Sequence, residues 1–332
     1  MRLVLAAIAL AAAAGAATDA AADEQLRRQA SALFGRIEAP RYAATPETEL
    51  GRALFWDMRL SLDGKTACAS CHLGKDWGAD SRRFSLDARN KPTSRHSPTV
   101  FNSMSQPTLR WLGDRKSGAD QAEGSMTGSM GFASKQELVA LMGQLGYLPA
   151  FRAAYPEEAS PLSSRNYGRA IEAYQATLVT PAPFDRFLAG DDGALDDSQK
   201  SGMRAFIAIG CAGCHSGPLL GGSLVQRFGV VKDYWLETGS GKVDVGRFAI
   251  TRKEEDRYVF RVPMLRNIAK TAPYFHDGSV ERLDHAVKIM ASVQLGRALD
   301  DASVSSIVAF LESLTGDVPA HYAPPEGKTA AR

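Results

Sequence analysis

Apolar residues recur at helical spacing in short runs, separated by long polar and glycine-rich stretches. Leu50, Leu54 and Phe55 mark a helix over Thr48 to Trp56, and a helical stretch from Asp23 to Phe34 precedes it. Val304, Ile307, Val308, Leu311 and Leu314 form one apolar stripe, predicting a helix from Asp301 to Leu314 that Gly316 stops. Between these ends, helices are predicted over Ser134 to Leu145, Ser164 to Thr180, Ser198 to Ile209 and Leu283 to Ala291. Ser134 caps the first of these and Glu137 completes a capping box. Pro181 and Pro183 close the second, and the segment Pro181 to Asp197 reads as a linker. From Gly74 to Gly131 the periodicity fails, with Pro92, Pro98 and Pro107 interrupting any helix, so this is expected to be a long ordered loop region. A mostly α fold follows, with a boundary near residues 165 to 190.

The 332 residues, 45% hydrophobic and 23% charged, have an ordinary globular composition and are enough for two cores. A formal charge of +2 is too small for a nucleic-acid surface, so no nucleic-acid partner is expected. Met1-Arg2, an apolar run from Leu3 to Ala14 and small residues through Ala22 have the layout of an export signal over residues 1–22, cleaved between Ala16 and Ala22. The alternative, a membrane anchor, suffers from an apolar stretch too short to span a bilayer. The expected mature protein is periplasmic, with no membrane span after cleavage. The polar tail from Ala320 to Arg332 is expected to be flexible.

All four cysteines fall in two Cys-x-x-Cys-His units, Cys68-Ala-Ser-Cys71-His72 and Cys211-Ala-Gly-Cys214-His215. Thiols three residues apart can bond both vinyl groups of one haem, and the adjacent imidazole ligates its iron. A four-thiolate zinc site, a thioredoxin-like pair or structural disulfides use similar spacings, but none explains a His after both pairs. The expected fold is therefore mostly α with two cytochrome c-like domains, each carrying one covalently bound haem c, over residues 23–165 and 166–316, with a tail over 317–332.

Val262-Pro263-Met264-Leu265-Arg266-Asn267-Ile268-Ala269-Lys270-Thr271-Ala272-Pro273-Tyr274-Phe275-His276-Asp277-Gly278, followed by Met290 and Gln294-Leu295-Gly296, resembles the bacterial di-haem cytochrome c peroxidase and MauG superfamily. That resemblance implies His215 and Met290 as the axial pair of the second haem, a thioether that raises the iron's potential. Without it Met290 reads equally as a core methionine, and His276, His285 and His321 are rival ligands. The peroxidases of this superfamily block their first haem with a loop His at a position that is Ala88 here. The resemblance thus implies His72 as sole protein ligand and an open sixth position for peroxide.

Leu109-Arg110-Trp111-Leu112-Gly113-Asp114-Arg115 and Gln121-Ala122-Glu123-Gly124 resemble the stretch that places a Trp between the haems, making Trp111 an electron relay and Gln121 a distal-pocket residue. Plain aromatic core is the alternative for Trp111. Ser129-Met130-Gly131 stands where the family has an acid-base Glu before a Met, leaving Glu123 and His96 as substitutes by chemistry and neighbourhood. His96 also replaces a family Asn that helps hold calcium, while Thr271 and Pro273, whose carbonyls complete that site, remain, so one calcium ion is a further cofactor candidate. A surface Trp used by MauG for hole transfer aligns with Phe187, and Trp235 is an alternative relay.

The stretch from Trp111 to Phe132 looks similar to the methanobactin-associated, MauG-like branch. Membership implies an oxidase that uses hydrogen peroxide, through high-valent haem iron, to oxidise a tryptophan of a periplasmic copper-binding partner toward kynurenine. The alternatives are a cytochrome c peroxidase fed by a small cytochrome or copper protein, toward which Met290 argues, and a passive di-haem electron carrier.

Overall fold

The structure is a computed structural model that describes residues 21–38 and 42–326. Most of the expected export signal over 1–22 and the end of the tail, residues 327–332, lie outside the described residues. Helix α1 (residues 21–33) is followed by α2 (Pro46–Trp56), a long irregular stretch, α3 (Gly118–Thr127), α4 (Lys135–Gln144), α5 (Leu148–Ala154) and α6 (Ser164–Ala176). Then come α7 (Pro183–Leu188), α8 (Asp197–Ile209), α9 (Tyr234–Thr238), α10 (Phe248–Thr251), α11 (Leu283–Leu295) and α12 (Asp301–Glu312). Among the described residues the only sheet is an antiparallel ribbon of β1 (Val225–Arg227) and β2 (Val259–Arg261), with Val225 opposite Arg261. No helix among them is long and apolar enough to cross a membrane.

Two apolar cores organise the chain. The first gathers Leu54 and Phe55 of α2, Met126 of α3, Leu138 of α4, Phe151 of α5 and Tyr174 of α6. The second gathers Phe184, Met203, Phe206, Ile307 and Phe310. Each contains a close helix crossing at a glycine. A Cβ on Gly51 of α2 would lie 1.8 Å from the Ala170 carbonyl oxygen of α6, and one on Gly202 of α8 would lie 1.7 Å from the Ser306 carbonyl oxygen of α12. Only a residue without a side chain permits those approaches. The helix ahead of each Cys-x-x-Cys-His unit is thereby clamped to a later helix of the same core.

The ends of the chain pack differently from expectation. Leu26, Ala30 and Phe34, in and just after α1, lie in the second core rather than with residues 42–165. Tyr322, in the tail expected to be flexible, lies in the first core. The expected linker holds α7, whose Phe184 and Phe187 are fully buried. The expected loop region from Gly74 to Gly131 contains α3, capped by the Ser117 hydroxyl accepting from the Asp120 N–H. Gly118 and Gly124 weaken its helix signal, and its buried face rests on Ala122 and Met126 alone among large or apolar side chains, so packing against α6 makes the helix. At α4 Ser134 caps as expected, but the Glu137 carboxylate accepts from the Ala133 N–H, not from Ser134's own backbone.

Candidate active site

Both motifs close into tight turns. The Cys71 N–H donates to the Cys68 carbonyl and the Cys214 N–H to the Cys211 carbonyl, each at 3.2 Å. The following imidazoles are then pinned alike: His72 Nδ1 lies 2.9 Å from the Gly78 carbonyl and His215 Nδ1 3.2 Å from the Leu220 carbonyl. A carbonyl can only accept, so each Nδ1 carries the proton and each Nε2 keeps its lone pair for a metal. Burial holds His72 below the usual imidazole range and pushes His215 down to about 4, so both are neutral at pH 7. Burial also pushes the Cys68 thiol up to about 12 and Cys211 to about 11, opposite to the depressed thiol of a redox pair. Among the described residues no three of His, Cys, Asp and Glu converge as a zinc site would need.

One cavity of about 580 Å³ is lined by both motifs. From α11, Leu283, Ala286, Val287, Met290, Ala291 and Gln294 line it, the spacing of a single helix face. Met290 therefore faces the cavity that His215 enters. Met104, Met130 and Met264 line it too, and of these Met264 lies in the same Val262–Gly278 segment as the family resemblance. His285 is exposed on α11, and His321 holds the Thr177 hydroxyl at 2.9 Å away from the cavity. His276 is only 2% exposed; it stacks on Phe260 with ring centroids 4.2 Å apart, and its Nε2 lies 3.9 Å from Asp244.

His96, Trp111 and Gln121 all line the cavity. The Trp111 indole N–H donates to the His96 carbonyl at 2.9 Å, and its ring meets His276 edge-on at 6.3 Å. His96 Nδ1 faces the Arg82 carbonyl at 3.2 Å, leaving Nε2 free of that bond. Glu123 corrects the sequence expectation. It does not line the cavity; its carboxylate pairs with Lys135 at 2.5 Å, because α3 turns Gln121, Ala122, Gly124 and Ser125 inward and Glu123 toward α4. Ala88 is buried and outside the cavity wall, its N–H donating to the Ser129 carbonyl at 2.8 Å. Phe187 is fully buried, and Trp235 packs on Tyr258 at 4.8 Å, also off the cavity. Thr271 and Pro273 both line the cavity.

Two arginines were missed. Arg261, in β2, is 4% exposed and lines the cavity, donating to the Arg110 carbonyl at 2.8 Å and to the Gln106 side chain. No carboxylate pairs with it among the described residues, and burial pushes it down to about 10. A lone Arg between Phe260 and Val262 was the available signal. Arg115 also lines the cavity, paired there with Asp120 at 3.0 Å. A buried unpaired guanidinium such as that of Arg261 is costly unless an anion meets it. Haem propionates are such anions, so donor set, cavity and orphan charge together fit two covalently held haem groups.

Residues 45–193 match the family model described as di-haem cytochrome c peroxidase. The chain is 44% identical to the cytochrome c551 peroxidase of Pseudomonas aeruginosa over 91% of this chain and 90% of that protein. It is 32% identical to the methylamine utilization protein MauG of Methylophilus methylotrophus, over 80% of this chain and 82% of that one. Among solved structures, a MauG-like protein associated with microbial copper homeostasis superposes with a TM-score of 0.74 at 26% identity, covering 87% of this chain and 96% of the other. With both attachment motifs opening on one cavity and likeness along nearly its full length, this chain is a haem-dependent oxidoreductase that belongs to the di-haem cytochrome c peroxidase and MauG family.

Proposed function

We propose that the protein is a periplasmic hydrogen peroxide reductase that draws electrons from a small cytochrome or copper protein. The observation that carries this is the single cavity shared by His72 and His215, with Trp111 in its wall. The 44% likeness to a cytochrome c551 peroxidase supports peroxide reduction ahead of partner modification, reversing the order expected from sequence.

Each haem, once bound, supplies an iron that exchanges single electrons. Cys68 and Cys71 would hold one macrocycle and Cys211 and Cys214 the other, with the Nε2 atoms of His72 and His215 free to ligate iron. Met290 on the α11 face would supply a sulfur to the second site, and Ala88 supplies no ligand to the first, where peroxide would be bound. Trp111, in the wall of the shared cavity and anchored through its N–H to the His96 carbonyl, would relay electrons between the two haem groups. Gln121 orients peroxide, and His96 moves the proton that cleavage of the O–O bond needs, since Glu123 is turned away. Arg261 and Arg115 anchor propionates. The carbonyls of Thr271 and Pro273 would supply hard oxygen ligands were one calcium ion bound there.

A second reading is partner modification, oxidation of a tryptophan in a copper-binding protein toward kynurenine. It is supported by the likeness to the MauG-like copper-homeostasis structure and by the missing loop His at Ala88. One experiment separates the two: holoprotein and peroxide are mixed with a reduced small cytochrome or with a copper-binding secreted protein. We expect two cytochromes oxidised per peroxide and no mass change on the copper protein. Slow cytochrome oxidation together with added oxygen on a partner tryptophan would reverse the assignment.

A further inference from the structure

Behind the first motif, away from the cavity, a file of oxidisable rings runs outward. The Tyr322 phenol donates to the carbonyl of His72 itself. Tyr322 meets Trp56 edge-on with centroids 5.3 Å apart, and the Trp56 indole N–H donates to the Tyr174 hydroxyl at 3.3 Å. Tyr174 in turn donates to the His321 carbonyl at 3.3 Å, and the His321 ring stacks on Tyr42 at 4.0 Å with 16° between planes. Tyr322, Trp56 and Tyr174 are 6%, 8% and 0% exposed, whereas Tyr42 lies at the partly exposed margin. The file is built from both ends of the chain, since the tail segment bearing His321 and Tyr322 is what joins α2 and α6 to the motif.

The four rings differ in where a proton can go. A phenol that loses an electron holds the resulting radical for long only where its proton has a base to take it. Tyr322 and Tyr174 donate only to backbone carbonyls, which cannot take one up. Tyr42 donates to the Glu49 carboxylate, with Arg52 3.6 Å from the same carboxylate. An oxidising equivalent therefore passes through the buried rings and comes to rest at Tyr42.

We propose that Tyr322, Trp56, Tyr174 and Tyr42 form a relay that carries oxidising equivalents from the first haem site to the surface, with Tyr42 as terminus and site of oxidative modification. The proposal rests on the reading of the first site as peroxide-reactive. Hydrogen peroxide takes two electrons and two protons and leaves as two waters. Without an external donor, Tyr42 supplies one electron, which refills the rings in turn toward the first haem site, and its proton moves to Glu49; the second haem would supply the other electron, and solvent supplies the two protons that peroxide takes up. Two Tyr42 radicals on separate molecules then couple ring to ring into a dityrosine adduct, each ring hydrogen shifting to its phenol oxygen, with no further oxidant. Tyr147, whose phenol donates to the Asp57 carboxylate at 2.6 Å, is the competing terminus that peptide mapping distinguishes.

The test uses holoprotein, one equivalent of hydrogen peroxide and no electron donor, read by absorbance, rapid-freeze electron paramagnetic resonance and peptide mass mapping. Wild type is expected to give a tyrosyl signal and oxidative adducts at Tyr42. Tyr42→Phe, which keeps the ring on His321, is expected to lose both while the absorbance change of the first haem forms at the same rate and decays more slowly. Trp56→Phe should give the same loss with Tyr42 intact. A tyrosyl signal unchanged in Tyr42→Phe, or adducts mapping to Tyr147, overturns the relay alone. Absence of any peroxide-induced absorbance change overturns the peroxide reading and the relay with it.

Discussion

Replacing Gly202 by alanine tests whether the crossing of α8 and α12 holds the second haem site. The added methyl would stand 1.7 Å from the Ser306 carbonyl oxygen and 3.0 Å from Phe310 Cβ. The first obstacle is helix backbone, which cannot rotate away, so the two helices must part by about the missing van der Waals distance. Overpacking of this kind costs roughly 3 kcal/mol, against about 1 kcal/mol gained from alanine's better helix propensity. The net loss of roughly 2 kcal/mol corresponds to a melting temperature lower by roughly 4–8 °C. Because α8 runs into Cys211 and Phe206 on it meets the His215 ring at 6.4 Å, the absorbance of the second haem should shift while that of the first stays put. The assay is thermal unfolding of holoprotein by circular dichroism beside its visible spectrum. Gly241→Ala, with nothing within 4 Å of the new methyl, is the control. A Gly202→Ala protein that melts within a degree of that control would refute the claim that this contact clamps the site.

Met290→Ala is expected to turn the second haem high-spin, whereas Met264→Leu leaves its spectrum unchanged; the reverse pattern assigns the sulfur to Met264. His276, pushed down to about 4 mainly by burial, stays neutral in the fold and protonates near 6.5 when unfolded, so the unfolded chain binds the extra proton. Stability should accordingly fall as pH drops from about 6.5 toward 4, by up to roughly 3 kcal/mol, and His276→Gln should flatten that slope in denaturant titrations. Glu123→Gln should leave peroxide turnover unchanged and cost below about 1 kcal/mol, since its Lys135 partner is 42% exposed. Gln121→Leu, on the inward face of the same helix, should slow turnover with the melting temperature retained.

Covalent chemistry was legible residue by residue. Two Cys-x-x-Cys-His units require nothing beyond one turn of backbone each, so their attachment role and the helices ahead of them, α2 and α8, could be read from local spacing. The apolar stripe of α12 and the cap at Ser134 were local in the same sense. What spacing cannot carry is direction in space. Glu123 sits two residues from Gln121, close enough in sequence to stand in for the family's acid-base Glu, yet successive helical positions point about 100° apart, and packing of α3 on α6 sends Gln121 but not Glu123 into the cavity. α3 itself rests on that packing more than on propensity. Arg261 reads as an ordinary strand arginine until β2 is folded under the cavity wall and leaves it without a carboxylate.

The amino-acid sequence by itself determined the two Cys-x-x-Cys-His units, with the expectation of two haem groups that they carry, and the family resemblance of the segment from Val262 to Gly278. Tertiary structure alone decided that both motifs open on one cavity and that Tyr322 reaches back from the tail to the His72 carbonyl. It also decided that the glycines at 51 and 202 are the points where helices touch. The physical reason is that a covalent bond to a haem is specified by neighbours in the chain, whereas burial, charge pairing and ring contacts are specified by residues hundreds of positions apart.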